Sequence, residues 1–120
     1  MVDAGTSGEA VQLGGTEWVL TSIGGASPVA GSSITVRFDQ GNASGSAGCN
    51  QYRGPFTVAG ESLTFGMIAA TKRACAESER NAQETAYLDA LSRVASYRVA
   101  AGRLVLQESA GRTLLEYSRN

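Results

Sequence analysis

Apolar and polar residues alternate along most of the chain from Thr16 onward, and this period of two predicts β-strands. The clearest run covers 33–39, where Ile34, Val36 and Phe38 alternate with polar residues. Turns and loops, many of them containing glycine, separate it from similar runs at 16–23, 43–47, 56–58, 63–65, 96–99, 104–106 and 115–117. The pattern therefore predicts about seven or eight short strands.

Between Glu77 and Val94 the apolar period becomes that of a helix. The predicted buried stripe consists of Ala82, Ala86, Tyr87, Ala90, Leu91 and Val94. Ser78 or Asn81 is the expected N-cap. The acidic residues are expected on the solvated side of this helix, and they are Glu77, Glu79, Glu84 and Asp89.

Short antiparallel strands with a single helix predict an α+β fold, in which a curled, barrel-like antiparallel sheet carries one packed α-helix. Residues 16–120 are expected to form this one domain. Residues 1–15 are small, polar and glycine-rich, which is typical of a flexible leader. Such a leader fits either a tether downstream of a removed export signal or an expression remnant.

Composition excludes several classes of function. The formal net charge is −1 and the basic residues are scattered, so we expect no nucleic-acid partner. The chain has no histidine and two cysteines, which is too few for zinc and leaves hydrolytic triads without a base. Lys72 is the one lysine, but no motif places a serine beside it. We expect no cofactor, no metal and no enzymatic activity, and no apolar stretch is long enough to span a membrane.

Two segments that each contain one cysteine carry a resemblance to a known family. The first, at 45–54, reads GSAGCNQYRG, and the second, at 71–75, reads TKRAC. The helical segment at 84–91 then reads ETAYLDAL, and a strand with Leu104 and Leu106 follows. In this order they resemble the META domain family of HslJ-like bacterial heat-shock proteins, over about 16–117. Arg73 departs from the methionine that is frequent there in the family.

The resemblance implies a compact α+β domain of the bacterial envelope, periplasmic or otherwise extracytoplasmic, and often lipid-anchored. It also implies a link to stress tolerance, and it supplies no enzymatic activity. The signal that would direct such export is not recognisable in this chain.

Cys49 and Cys75 are 26 positions apart and enclose a predicted hairpin. A structural disulfide in an oxidising compartment is the favoured interpretation, and it would stabilise the fold by about 3 kcal/mol through the unfolded chain. Two buried thiols in a reducing compartment remain an alternative. A reactive redox pair is a third, although the cysteines lack the C-x-x-C spacing.

Four residues of these two segments are expected to have structural roles. Gly48 is expected to adopt positive φ in a tight turn, and Asn50 to fasten that turn through its side chain. Tyr52 is expected in the core or at the barrel rim. Thr71 belongs to the second segment of the same motif.

The sequence therefore favours a non-enzymatic, monomeric envelope module that binds another protein or helps to maintain the envelope under stress. The alternative is a barrel that binds an apolar small molecule or lipid, because about eight strands can enclose one small ligand. The bulky inward residues favour the first hypothesis because they could fill so small an interior, and they are Phe38, Phe56, Phe65, Tyr87, Leu91 and Leu104.

Overall fold

Antiparallel pairing joins the strands into a single sheet in the structure, a computed structural model that describes residues 13–73 and 75–119. Its strands are β1 (Thr16–Ile23), β2 (Thr35–Asp39), β3 (Asn42–Ser46), β4 (Gln51–Ala59), β5 (Ser62–Phe65), β6 (Ala69–Ala70), β7 (Ser96–Ala100), β8 (Arg103–Gln107) and β9 (Thr113–Arg119). The helix α1 (Ser78–Arg93) lies between β6 and β7. Among the described helices, none has the length and hydropathy that crossing a membrane requires.

Eight of these strands close into a ring in the order β1-β2-β3-β4-β5-β7-β8-β9, because β9 pairs back onto β1. The joint between β5 and β7 is narrow, with Ser62 and Ser96 as its register pair. The extra strand β6 pairs with the first part of β4, on the same edge of β4 that pairs further along with β5. The predicted α+β barrel with one helix is confirmed. The alternation pattern missed β6 because two residues are too few to show a period.

Large side chains fill the interior of this ring. Those fully buried include Trp18 of β1, Phe38 of β2 and Leu104 of β8, together with Tyr87 and Leu91 of α1. Phe56 and Phe65 are partly buried, and both rings pack against the ring of Phe38. The helix thus inserts its apolar side chains into the same core that the strands surround.

The predicted buried stripe of α1 is wrong in part. Ala82 and Ala86 are exposed, whereas Gln83 is buried one turn before Tyr87. The Gln83 carboxamide is tolerated there because it accepts a hydrogen bond from the Val29 backbone N–H, at 2.7 Å, and donates one to a loop serine. Because Gln83 is polar, the apolar pattern of the sequence could not predict that it is buried, and its hydrogen-bond partners lie far along the chain.

The predicted N-cap is also wrong. The N-cap residue is Glu77, and its side chain makes no capping hydrogen bond. Ser78 is already the first residue of the helix, and the Asn81 side chain binds the backbone of Cys75 instead. The segment around Cys75, which leads into the helix, is therefore held by the side chain of Asn81 in the first turn of the helix.

The folded domain begins before Thr16. Leu13 is fully buried in the core, and the Gly15 N–H donates a 2.6 Å hydrogen bond to the Phe38 carbonyl of β2. Residues 13–15 therefore belong with the barrel rather than with the predicted leader. The rest of that predicted leader, 1–12, lies outside the described residues.

Replacing Gly45 tests how closely β2 and β3 approach each other. A Cβ at this position would clash with the Thr35 carbonyl oxygen, and a backbone atom cannot move aside cheaply. We expect Gly45→Ala to lower the free energy of unfolding by about 1–3 kcal/mol, measured by urea denaturation with the fluorescence of Trp18. Ser44→Ala, on the adjacent residue, is the matched control and should change it by less than about 0.5 kcal/mol. Equal losses in the two variants would contradict the steric argument.

Candidate functional site: an outer groove beside a disulfide-bonded turn

The turn between β3 and β4 is tight and covalently anchored. The Ala47 N–H donates to the Asn50 carbonyl at 2.8 Å, and Gly48 adopts φ of 110°, which favours glycine. Cys49, at the tip, forms a disulfide with Cys75, and the two Cα atoms are 5.5 Å apart. The disulfide that the sequence favoured is therefore present, and it ties the turn to the segment that leads into α1.

The Glu84 carboxylate of α1 holds the same turn from the side of the helix. Its Oε1 accepts hydrogen bonds from the backbone N–H groups of Cys49, at 2.9 Å, and Asn50, at 2.8 Å. Its Oε2 accepts one from the Asn50 carboxamide at 2.6 Å. A carboxylate that receives three N–H donors makes stronger hydrogen bonds than a neutral acceptor would. The turn is therefore bonded to the helix through Glu84 and covalently tied to the segment that precedes the helix.

Asn50 uses its whole side chain to join three segments. Besides the bond to Glu84, its Nδ2 donates to the Arg73 carbonyl at 2.7 Å. Its Oδ1 accepts from the Arg73 N–H at 2.6 Å and from the Thr71 hydroxyl at 2.8 Å. The Thr71 hydroxyl in turn accepts from the Gln51 N–H at 3.2 Å. Asn50 is buried, and each of its polar atoms is satisfied.

Asn81 completes the arrangement on the other cysteine. Its Oδ1 accepts from the Cys75 N–H and its Nδ2 donates to the Cys75 carbonyl, both at 2.9 Å. We call the disulfide together with Asn50, Thr71, Asn81 and Glu84 the clasp. It connects the β3–β4 turn, the segment after β6 and the helix.

Sequence reasoning missed two members of the clasp, since it placed Glu84 on the solvated side of α1 and offered Asn81 as one of two N-cap candidates. A usable signal for Glu84 exists in its spacing. Residues three apart lie on one face of a helix, so an inward Tyr87 brings Glu84 toward the protein. Asn81 offers no such signal, because its partner Cys75 lies outside the helix and its position depends on the disulfide.

A chain of buried phenols crosses the barrel next to the clasp. The Tyr52 hydroxyl donates to the Thr35 carbonyl at 2.7 Å, and Tyr87 lies 2.8 Å from both the Tyr52 and the Tyr117 hydroxyls. Because a carbonyl can only accept, the Tyr52 hydroxyl must donate its proton to the Thr35 carbonyl. The Tyr87 hydroxyl then donates to Tyr52, and the Tyr117 hydroxyl donates to Tyr87. Burial is the largest cause that raises the pKa of all three tyrosines above the ordinary value of 10.0.

The outer face of the sheet beside the clasp carries a groove of about 700 Å³. Strands β1, β2, β3, β4 and β6 supply its walls and floor. Its lining residues are Glu17, Thr35, Arg37, Ser44, Gly45, Ser46, Gln51, Tyr52, Arg53, Ala69, Ala70 and Thr71. Short side chains such as Ser44 and Ser46 lie between the two arginines, Arg37 and Arg53, in this lining.

The structure brings the predicted site residues together around this groove. Tyr52 and Thr71 line it, while Gly48, Asn50 and the disulfide lie at the adjoining turn. Lys72 is exposed on the segment that follows Thr71. Within the described ranges, histidine, cysteine and carboxylate side chains form no group of three or more that could hold a metal ion. The chemistry that the groove offers is hydrogen bonding and ion pairing to a bound molecule.

Removing the Glu84 carboxylate should loosen the clasp. Glu84→Ala leaves two backbone N–H groups and one carboxamide N–H without their acceptor, so we expect a loss of about 2–3 kcal/mol in the free energy of unfolding. Urea denaturation of the oxidised protein measures it. Glu79→Ala, on the exposed side of the same helix, is the control and should cost at most about 1 kcal/mol. A Glu84 variant as stable as the Glu79 variant would show that the carboxylate does not hold the turn.

The phenol chain predicts a loss of stability in alkali. The three buried tyrosines stay protonated in the folded protein above pH 10, where unfolded tyrosines ionise. The unfolded state then binds fewer protons, so their contribution is complete below pH 10 and falls as the pH rises further. We expect urea denaturation to show a loss of about 1 kcal/mol per tyrosine between pH 10 and 11. Tyr117→Phe should show a smaller loss over this interval, and a stability independent of pH would refute the prediction.

Comparison with known proteins supports the fold and the family. Two NMR structures are similar to this chain. One, of a protein from Burkholderia xenovorans, has 29% identity and a TM-score of 0.74, and the match covers 94% of this chain and 87% of that one. The other has 25% identity and a TM-score of 0.72, with 90% and 92% covered.

A crystal structure of a DUF4847 family protein from Bacteroides vulgatus shares the fold at 19% identity and a TM-score of 0.55, over 72% of this chain and 59% of that one. No curated protein matches this chain significantly. The sequence profile of the META domain matches residues 11–120, nearly the whole length. The chain therefore belongs to the META domain family.

Proposed function

We propose that this META domain is a non-enzymatic interaction module of the bacterial envelope, and that it recognises another protein through the groove on its outer wall. The observation that carries the proposal is the location of the open space. Large side chains occupy the barrel interior, whereas the 700 Å³ groove lies on the outside, where a partner can reach it. This volume is in the range of sites that bind a drug-sized molecule or a short peptide segment.

The disulfide supports the extracytoplasmic part of the proposal. Disulfides persist in oxidising compartments such as the periplasm and are rare where thiols are kept reduced. The covalent bond between Cys49 and Cys75 fits such a location. The association with heat shock and envelope stress that the family resemblance implies is part of the same proposal.

The clasp supports a binding role because it fastens one end of the groove. Thr71 lines the groove and also donates to the buried Asn50, which is bonded to Glu84. A surface that is ordered before binding loses less conformational entropy when it engages a partner. The clasp therefore places one end of the groove on a segment that is held by a disulfide and by several side-chain hydrogen bonds.

Site-specific photo-crosslinking in cells of the native host tests the proposal. A crosslinking residue replaces Ser44 of β3 inside the groove, and a matched control replaces the outward-facing Val105 of β8. These strands lie on opposite walls, four steps apart in either direction around the ring. We expect an adduct with an envelope protein, identified by mass spectrometry, from Ser44 and none from Val105. Identical adducts at both positions, or none at Ser44, would count against the proposal.

A further inference from the structure

One row of outward-facing residues runs across the groove from strand to strand. The register pairs Glu17 with Arg37, Arg37 with Ser44, Ser44 with Arg53, and Arg53 with Ala69, so five neighbouring strands each contribute one residue. Neighbouring strands are about 4.8 Å apart, which gives the row a length of about 19 Å. The two arginines are separated by one strand, so their backbones are about 10 Å apart.

The floor between the arginines is low and polar. Ser44 lies between them in the row, and two residues further along β3, Ser46 forms the next outward-facing register pair with Gln51 of β4. These short or uncharged side chains leave room above the sheet that the longer arginine side chains flank. A planar guanidinium can receive a carboxylate through two parallel N–H···O bonds. Arg37 and Arg53 flank Ser44, so this part of the groove offers two guanidinium groups to an anionic ligand.

Among the described residues, the one ion pair that either arginine makes is exposed and weak. Asp39 lies 4.0 Å from Arg37, but both side chains are more than half exposed, at 55% and 63%. Such an exposed pair contributes little. Glu17 is the one acidic residue among those that line the groove. A carboxylate from another molecule can therefore replace the solvent and the weak intramolecular pair.

A second basic feature lies where the groove meets the clasp. Lys72 and Arg73 are exposed and directly follow Thr71, which lines the groove. This pair is the one adjacent basic dipeptide of the chain. Together with Arg37 and Arg53 it gives this side of the domain four cationic side chains, on a protein whose formal net charge is −1.

We infer that the groove binds an extended acidic segment of the partner protein, with carboxylates paired to Arg37 and Arg53. The inference rests on the proposed function and adds the chemistry of the partner. A length of about 19 Å corresponds to roughly six residues of an extended chain at about 3.3 Å each, whereas a single small anion would contact one point of the row. The complementary charge selects acidic residues for that segment.

Binding of graded peptides to the purified, oxidised domain tests this inference. The probes are fluorescein-labelled hexapeptides of serine and valine that contain zero, one, two or three glutamates, measured by fluorescence anisotropy at low salt. We expect affinity to rise with the number of glutamates and to fall when salt is raised from 50 to 300 mM, because exposed charges are screened. Replacing glutamate by glutamine in the best peptide should abolish the gain.

Variants locate the binding. Arg37→Gln and Arg53→Gln should each weaken the best peptide about fivefold to tenfold, and the double variant more, with unchanged thermal unfolding. Arg98→Gln, an exposed arginine on β7, is the matched control and should have no effect. Affinity that does not depend on glutamate, or is equal in all variants, would overturn the inference, as would the absence of any binding. Displacement of the best peptide by an equal concentration of inorganic phosphate would also overturn it, in favour of a small-anion site.

The experiments can refute the proposed envelope partner and the inferred acidic recognition independently of each other. If the Ser44 crosslink to an envelope protein persists in the Arg37→Gln, Arg53→Gln double variant, the groove is an interaction site but acidic recognition is wrong. If no crosslink forms at Ser44 while the acidic peptides bind with the expected arginine dependence, the site has the inferred chemistry but the proposed envelope partner is wrong.

Discussion

The bridge of three phenols across the barrel determines how the rest of the domain is arranged. Tyr52 lies on β4 and Tyr117 on β9, and these strands are four steps apart in either direction around the ring. Tyr87 of the helix joins them through its single hydroxyl. A buried phenol without a partner is costly, so each hydroxyl must donate along the chain toward the Thr35 carbonyl. This requirement sets the rotation of the helix and how deeply it inserts.

The rotation of the helix in turn positions the clasp. With Tyr87 inward, Glu84 lies one turn earlier on the adjacent side, where its carboxylate meets the backbone N–H groups of the β3–β4 turn. The disulfide and Asn50 then connect this turn to the segment after β6. The buried helix residue Tyr87, the clasp and the groove are therefore connected through neighbouring residues. The outer wall that carries the groove is therefore fastened at one end by the clasp.

The groove itself follows from strand register and side-chain size. The pairing of β2, β3 and β4 places Ser44 between Arg37 and Arg53, and a shift of one residue would turn these side chains to the other face. The close approach at Gly45 helps to exclude such a shift, since a side chain there would meet the Thr35 backbone. An anionic partner would thus be recognised by a geometry that the core enforces from beneath.

Local periodicity was sufficient to predict the barrel strands and the helix, because alternation along 33–39 and the spacing of Tyr87 and Leu91 reflect burial directly. The two cysteine segments were sufficient to indicate the family and to favour the disulfide. Sequence alone gave no account of β6, the buried Gln83, or the inward carboxylate of Glu84, since hydrogen-bond partners far along the chain decide these positions.

The same division holds for the groove. Composition shows ten basic residues scattered through a nearly neutral chain, and this predicts no charged surface. Strand pairing brings Arg37 and Arg53 side by side across Ser44, although 16 positions separate them in the sequence. The sequence by itself determined the elements and the covalent tie, because these depend on neighbouring residues and residue type. Only the tertiary structure decided where the groove and its arginines lie, because the proximity of distant side chains arises from register and closure of the barrel.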